Sequence, residues 1–261
     1  MLEQFLYTWN PWLVPLGLFL LLGLTVELAY KYGGALPLSS FSDDAWSATQ
    51  SGIVTLVAFT VGLSFAQSLE RFDGRRVLVI REANAIRTTW LRAENLPYRE
   101  SAIFRQELMD YTATRLAAYQ QPADPSVYER AVARSDREQE ELWSTVQTAL
   151  HKQPGDLGLA LLMQALNDTI NLAAEQLQAF EVHVPLATVV MTILLAWFAA
   201  LSLGLRFARN KSRPFFMSML NVVAYTLVLT MIIDYDRTQS GLVKVSLAPI
   251  AIQLQSMQLG R

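Results

Sequence analysis

Residues 46–69 contain no charged side chain, and the helix they imply does not stop where the charges begin. Glu70, Arg71, Asp73, Arg75 and Arg76 follow without a proline. Val79, Ala83, Ile86, Trp90 and Ala93 then recur with the seven-residue period of a helix packed in a bundle or short coiled coil. About 20 apolar residues suffice to cross the hydrocarbon of a bilayer. The stretch 45–93 therefore reads as one helix that spans a membrane in its first half and continues into water in its second.

Three more apolar runs support that reading. The first extends over about 11–31 and takes in Glu27; the third covers 185–205 behind Pro185; the fourth covers 214–233 and is stopped by Asp234-Tyr235-Asp236-Arg237. Tyr7, Trp9 and Trp12 suit a headgroup region, where a ring with one polar edge satisfies both phases. The first run lacks a basic leader and a small-residue cleavage pattern, so it is expected to be a span and not a signal peptide. Only 17% of the 261 residues are charged, against about 25% in soluble domains.

Residues 70–184 carry helical periodicity throughout and no strand pattern. After the long helix ends at Pro97, Phe104, Leu108, Tyr111 and Leu116 predict a helix over 101–119. A Gln120–Pro125 linker precedes a charged helix over 126–150, apolar at Leu142, Trp143, Val146 and Leu150. The next helix, 157–181, is expected to be capped by Asp156 and to pack through Leu157, Leu161, Leu166, Ile170, Ala173 and Leu177. Asp43 or Asp44 is expected to cap the second span. The fold class is thus all-α. An integral membrane protein with four transmembrane helices is organised as a hairpin (1–69), a helical soluble region (70–184), a second hairpin (185–234) and a tail (235–261) without trusted periodicity.

Several function classes are excluded. A net charge of −2 with no basic stripe gives no reason to expect a nucleic-acid partner. The chain has no cysteine, hence no disulfide and no thiolate metal site. His151 and His183 lie at the ends of different predicted helices, so no metal site is expected. There is no glycine-rich phosphate loop, no Gly-x-Ser-x-Gly and no His-Glu-x-x-His. No catalytic residue, cofactor or enzymatic activity is therefore expected.

The second span bears two ridges at i, i+4 spacing. Ala58, Gly62 and Ala66 form a small-residue ridge of the kind that lets helices approach closely in lipid. Thr55, Phe59 and Leu63 form a bulkier one, which suits a lipid or core face, or a hydrophobic constriction that gates by dewetting. The ridges lie about 60° apart around the helix. Glu27 is an ionisable residue within reach of the hydrocarbon, a functional candidate by default, yet Lys31 stands at the favourable four-residue spacing for a plain interfacial pair. Asp234 and Asp236 suit either an ion pathway or a polar stop that caps and pairs with Arg237. Arg71, Arg75 and Arg76 suit either an anion-attracting mouth, together with Glu70, or headgroup anchors.

Short motifs tie these features to a family. Phe59-Thr60-Val61-Gly62-Leu63 followed by Leu69-Glu70-Arg71-Phe72 resembles the neck helix of the bestrophins, where an apolar-x-x-Gly-Phe stretch precedes an aromatic-acidic-Arg-Trp turn. Glu82-Ala83-Asn84-Ala85-Ile86, and Asp234-Tyr235-Asp236-Arg237 with Gly241-Leu242-Val243, resemble the bacterial bestrophin-like group, and the order of spans agrees. The resemblance implies a homo-pentameric ion channel, anion-conducting, in a bacterial inner membrane. Its partners would be the lipid bilayer, four further copies of itself and inorganic ions. Thr55, Phe59 and Leu63 would form the neck. Leu63 and Thr55 depart from the aromatic and the aliphatic residue of bestrophins, and Phe72-Asp73 replaces a tryptophan pair. The acidic calcium clasp of animal bestrophins has no counterpart beyond Asp234 and Asp236.

Seven cations near the membrane on the side of the helical region (Arg71, Arg75, Arg76, Arg81, Arg87, Arg237 and Lys244) face five on the other (Lys31, Arg206, Arg209, Lys211 and Arg213). The positive-inside rule then places the helical region and both termini in the cytoplasm. A different class of function stays open at this stage: a non-conducting oligomeric membrane scaffold or sensor whose helical region binds a partner. A transporter is disfavoured, because spans two to four carry no midplane charge and no break.

Overall fold

The structure is a computed structural model and describes residues 12–37, 42–120, 125–237 and 241–260. Among these, every regular element is helical: α1 (Leu13–Gly33), α2 (Asp43–Arg92), α3 (Tyr98–Gln120), α4 (Pro125–Lys152), α5 (Leu157–Glu181), α6 (Leu186–Arg209), α7 (Phe215–Asp236) and α8 (Ala248–Gln258), with a 3-10 turn at Ala93–Asn95 after α2. Four helices are long and apolar enough to cross a membrane: α1, α2, α6 and α7. The protein is an all-α integral membrane protein. Tyr7 and Trp9, and most of the linker before α4, lie outside the described residues.

The chain divides into two compact units. One comprises residues 1–71 and 183–243; the other comprises 72–182 and 244–261. The 50-residue helix α2 belongs to both, passing from the first to the second between Arg71 and Phe72.

In the first unit, α1, α6 and α7 share an apolar core around Leu22, Val26, Ala196, Ala200, Val222 and Leu229. The tightest approach is at Gly204 on α6, where a Cβ would fall 2.5 Å from the Val26 carbonyl oxygen and 2.6 Å from Ala29 Cβ. Only glycine permits that helix crossing. The N-terminus of α2 is capped by Ser42, whose hydroxyl accepts from the Ala45 amide at 3.2 Å. Asp43 and Asp44 sit instead in the first turn, where their charge still suits the helix dipole.

In the second unit, the heptad residues Val79, Ala83, Ile86, Trp90 and Ala93 are all buried, as their period required. Ile86, Trp90 and Ala93 share a core with Phe104, Leu108 and Tyr111 of α3, Leu142 and Val146 of α4, and α5, whereas Val79 and Ala83 pack with Tyr119, Phe180 and Ile250. Asp156 caps α5, accepting from the Leu159 amide at 2.9 Å. Leu166 and Ala173 of α5 are buried as expected, and Ile170 packs against the core, but the first turns of the helix differ from the expectation. Leu157 and Leu161 are exposed, and Leu159, Leu162, Ala165 and Leu166 fill the core. The first turns of α5 are apolar on every side, so periodicity alone could not select the face. The tail, where no periodicity was trusted, holds the helix α8, which packs through Ile250 and Met257. Gly260 closes α8 at φ +68°, the left-handed conformation that ends helices at little cost for glycine.

Candidate functional site

The rotation of α2 about its own axis decides which residues are available for function. In the first unit its buried stripe is Val57, Ser64 and Ser68. Ser64 and Thr192 of α6 share a hydrogen bond of 3.0 Å. Phe65 meets Tyr235 of α7 edge-on at 5.8 Å. Arg206 donates to Gln50 at 2.7 Å, and Arg209 pairs with Asp43 at 2.6 Å. These contacts hold one face of the helix against its neighbours.

Both sequence-predicted ridges lie on the remaining surface. Phe59 is about 160° around the helix from Val57 and is 70% exposed. Thr55, Leu63, Ala58, Gly62 and Ala66 are also exposed. A Cβ built on Gly62 meets nothing within 4 Å. The Thr55 hydroxyl donates to the Ser51 carbonyl at 2.8 Å, so its hydrogen is committed to its own helix. Of its spanning stretch α2 buries only 17%, against 33% for α1 and 28% for each of α6 and α7.

The charged candidates separate. Glu27 pairs with Arg213, at the start of the following hairpin arm, at 2.7 Å, and not with Lys31. Asp234 is buried and accepts from two backbone amides, Leu242 at 2.7 Å and Val243 at 2.9 Å. Gly241 lies so close that a Cβ there would stand 2.8 Å from Asp234 Oδ1. Asp236 accepts from the Val184 amide at 2.9 Å, and its backbone carbonyl lies 3.2 Å from His183 Nδ1. The two aspartates thus fasten chain segments at the ends of α6 and α7. Glu70 and Arg76 are exposed and Arg71 is half-buried. Arg75 is turned inward at 1% exposure, donating from Nε to the Ala179 carbonyl at 2.9 Å and from Nη2 to the Val182 carbonyl at 2.8 Å. It anchors α2 to the end of α5.

A buried ion pair escaped the sequence reading. Arg115 of α3 donates from Nε to Glu82 of α2 at 2.7 Å, with both side chains at or below 3% exposure. It also contacts the Tyr119 hydroxyl and donates to the Ala173 carbonyl at 3.2 Å. Burial works against the Arg115 charge, but Glu82 and Tyr111 outweigh it and hold the guanidinium pKa above its ordinary value. Tyr111, fully buried, is pushed up to about 12 by desolvation. Glu82 stands three residues after Val79 and four before Ile86, on the flank of the heptad stripe, and a charged side chain that close to the core was the available signal. Among the described residues no cluster of His, Asp or Glu is arranged to hold a metal ion.

The architecture defines a class: a four-span helical membrane protein with one span prolonged into a helical extramembrane unit. More particularly, the chain has the fold of the bacterial bestrophin homologues. A crystal structure of a bacterial bestrophin homologue from Klebsiella pneumoniae matches with TM-score 0.71 at 14% identity, over 94% of this chain and 97% of that one. A single-substitution variant of that homologue matches with TM-score 0.72 at 15% identity, over 95% and 97%. No family model and no curated protein matches the sequence.

Proposed function

We propose that the protein is an ion channel built from identical copies of this chain, five in number, with α2 of each copy facing the central axis. The observation that carries the reading is the exposure of both α2 ridges on a span that buries less of itself than any other. A helix of this kind has two faces left to use. Ala58, Gly62 and Ala66 would take the close contact with a neighbouring copy. Thr55, Phe59 and Leu63 would form a narrow apolar neck that gates by dewetting. The bestrophin fold supports the same arrangement.

Anions are the proposed permeant species. The spanning part of α2 carries no acidic residue, and Arg71 and Arg76 stand with Glu70 at the proposed mouth, where they raise local anion concentration. Arg75 supports that mouth from behind. The membrane is the bacterial inner membrane, with the helical unit and both termini in the cytoplasm, as the balance of juxtamembrane cations favours.

The test is reconstitution of purified protein in planar bilayers or liposomes, with chloride and potassium flux read separately. Phe59→Ala is expected to alter conductance, and single Thr55→Cys, Phe59→Cys and Leu63→Cys variants are expected to react with a water-borne thiol reagent. Native mass measurement is expected to return five copies. Silence to both ions with all three sites shielded would leave the oligomeric scaffold or sensor as the reading, and a monomer would remove the channel altogether.

A further inference from the structure

We infer that the second unit carries a binding site for a small organic anion, in a cleft bounded by the end of α2, by α3 and by α8. The cleft measures about 630 Å³, within the range of small-molecule sites. Its lining includes Trp90, Glu94, Tyr98, Arg105, Met109 and Met257. Such a mixture, an apolar floor with a few convergent polar groups, is how ligand sites orient what they bind.

Arg105 is the centre of the site. Its guanidinium carbon lies 5.1 Å from the centroid of the Trp90 ring, which holds the planar group in one orientation. Nε and Nη2 form one edge of that plane, the two-pronged edge that grips carboxylate and phosphate oxygens in parallel. In this structure only one prong is engaged. Nη2 donates to Glu94 Oε1 at 3.1 Å. Nε is shielded from solvent and has no hydrogen-bond partner among the described residues. A shielded donor without a partner is costly, and a bound oxyanion relieves that cost.

Glu94 is a replaceable occupant. It sits on the 3-10 turn after α2 with its side chain 73% exposed, and an ion pair so exposed is weak. A ligand oxyanion that reaches both prongs displaces it and gains the bond Glu94 leaves unmade. The rest of the ligand then lies against Met109, Met257 and Leu96, with Tyr98, 91% exposed, at the rim. The ligand class is therefore an apolar body of modest size bearing one carboxylate or phosphate-ester head. Because α8 supplies Met257 and Gln258 to the wall, occupancy would stabilise the seat of the C-terminal helix.

The experiment uses the full chain in lipid nanodiscs and titrates it calorimetrically with 3-phenylpropanoate and, separately, with phenyl phosphate. Saturable binding of at least one probe is expected, and the two arms tell a carboxylate site from a phosphate site. Arg105→Gln is expected to weaken binding at least tenfold. Glu94→Gln is expected to tighten it at least threefold, a gain that a merely structural Glu94 would not produce. The inference is overturned if neither probe binds the native protein or Glu94→Gln, or if Arg105→Gln leaves affinity unchanged. Should Arg105→Gln fail to fold, unchanged affinity in Glu94→Gln is enough to overturn it. Binding is read without any measurement of conduction, so the result stands apart from the channel proposal.

Discussion

The Ser64 hydroxyl on α2 lies 3.0 Å from the Thr192 hydroxyl on α6, and both side chains are buried. Each also reaches its own helix carbonyl at 2.8 Å, Ser64 to Thr60 and Thr192 to Thr188. One hydroxyl therefore donates to the other while the second keeps its hydrogen on its own helix. The bond selects one rotation of α2 among several that its uniformly apolar sequence would allow, and in that rotation Thr55, Phe59 and Leu63 point away from the core of the first unit.

Removing one hydroxyl should loosen that choice. Ser64→Ala is expected to cost about 1 kcal/mol, the typical net value of one such bond. Thermal denaturation in mild detergent would register it as a modest drop in midpoint. Ser64→Ala combined with Thr192→Val should cost less than the sum of the two single changes, because the pair is coupled. Strict additivity would show that the hydroxyls act independently.

Gly204→Ala tests the crossing of α1 and α6. The new methyl group would stand 2.5 Å from a backbone oxygen, which cannot swing aside as a side chain can. A loss of about 1–3 kcal/mol is expected from overpacking. Gly62→Ala offers the contrast, since a Cβ there meets nothing within 4 Å. It should leave the protomer's stability unchanged while weakening the assembled oligomer, read by comparing monomer and oligomer in native mass spectra.

The Glu82–Arg115 pair should show the asymmetry of buried charges. Arg115→Met alone strands a carboxylate in the core and is expected to cost about 3–5 kcal/mol, and Glu82→Leu alone a similar amount. The double variant should recover most of that loss, because neither charge is then left unpaired. Denaturation of the four proteins side by side measures the coupling. A double variant as unstable as the sum of the singles would contradict this account.

Tyr111 predicts an alkaline limit. Its pKa is pushed up to about 12 in the folded protein against 10.0 for the free side chain, so the folded state favours the protonated phenol. The contribution is complete below pH 10 and is lost as pH rises towards 12. By pH 11.5 the loss amounts to about 2 kcal/mol. Tyr111→Phe cannot ionise. It gives up the hydrogen bond that Gln139 donates to the phenol at 3.2 Å, so it should be the less stable protein at pH 8. The gap should narrow or reverse at pH 11.5.

Legibility in the sequence followed the strength of the pattern. The spans were plain because 20 uncharged apolar residues admit few alternatives in water. The heptad from Val79 to Ala93 was plain because polar and charged residues such as Arg81, Asn84, Arg87 and Thr88 occupy most of the opposite face. On α5 the same reasoning failed: a helix greasy all round has no face to read, and the packed residues were Leu159 and Leu162 instead of Leu157 and Leu161. The helix α8 was missed for a related reason, since its apolar residues are spread without a clear period and its place depends on neighbours distant in the chain.

The candidate site divides in the same way. That the second span carries a small ridge and a bulky ridge about 60° apart follows from spacing alone. That both ridges stay uncovered within the protomer follows only from where Val57, Ser64 and Ser68 meet α6 and its neighbours. Local pattern determines which elements form and which of their faces are apolar, because helix period and transfer free energy act residue by residue. Which apolar face is buried, whether Arg75 turns inward, and how Arg105, Trp90 and α8 come to share one cleft are decided by packing between segments far apart in the chain. Steric fit and hydrogen bonds such as Ser64–Thr192 select one arrangement there from several of similar hydrophobicity.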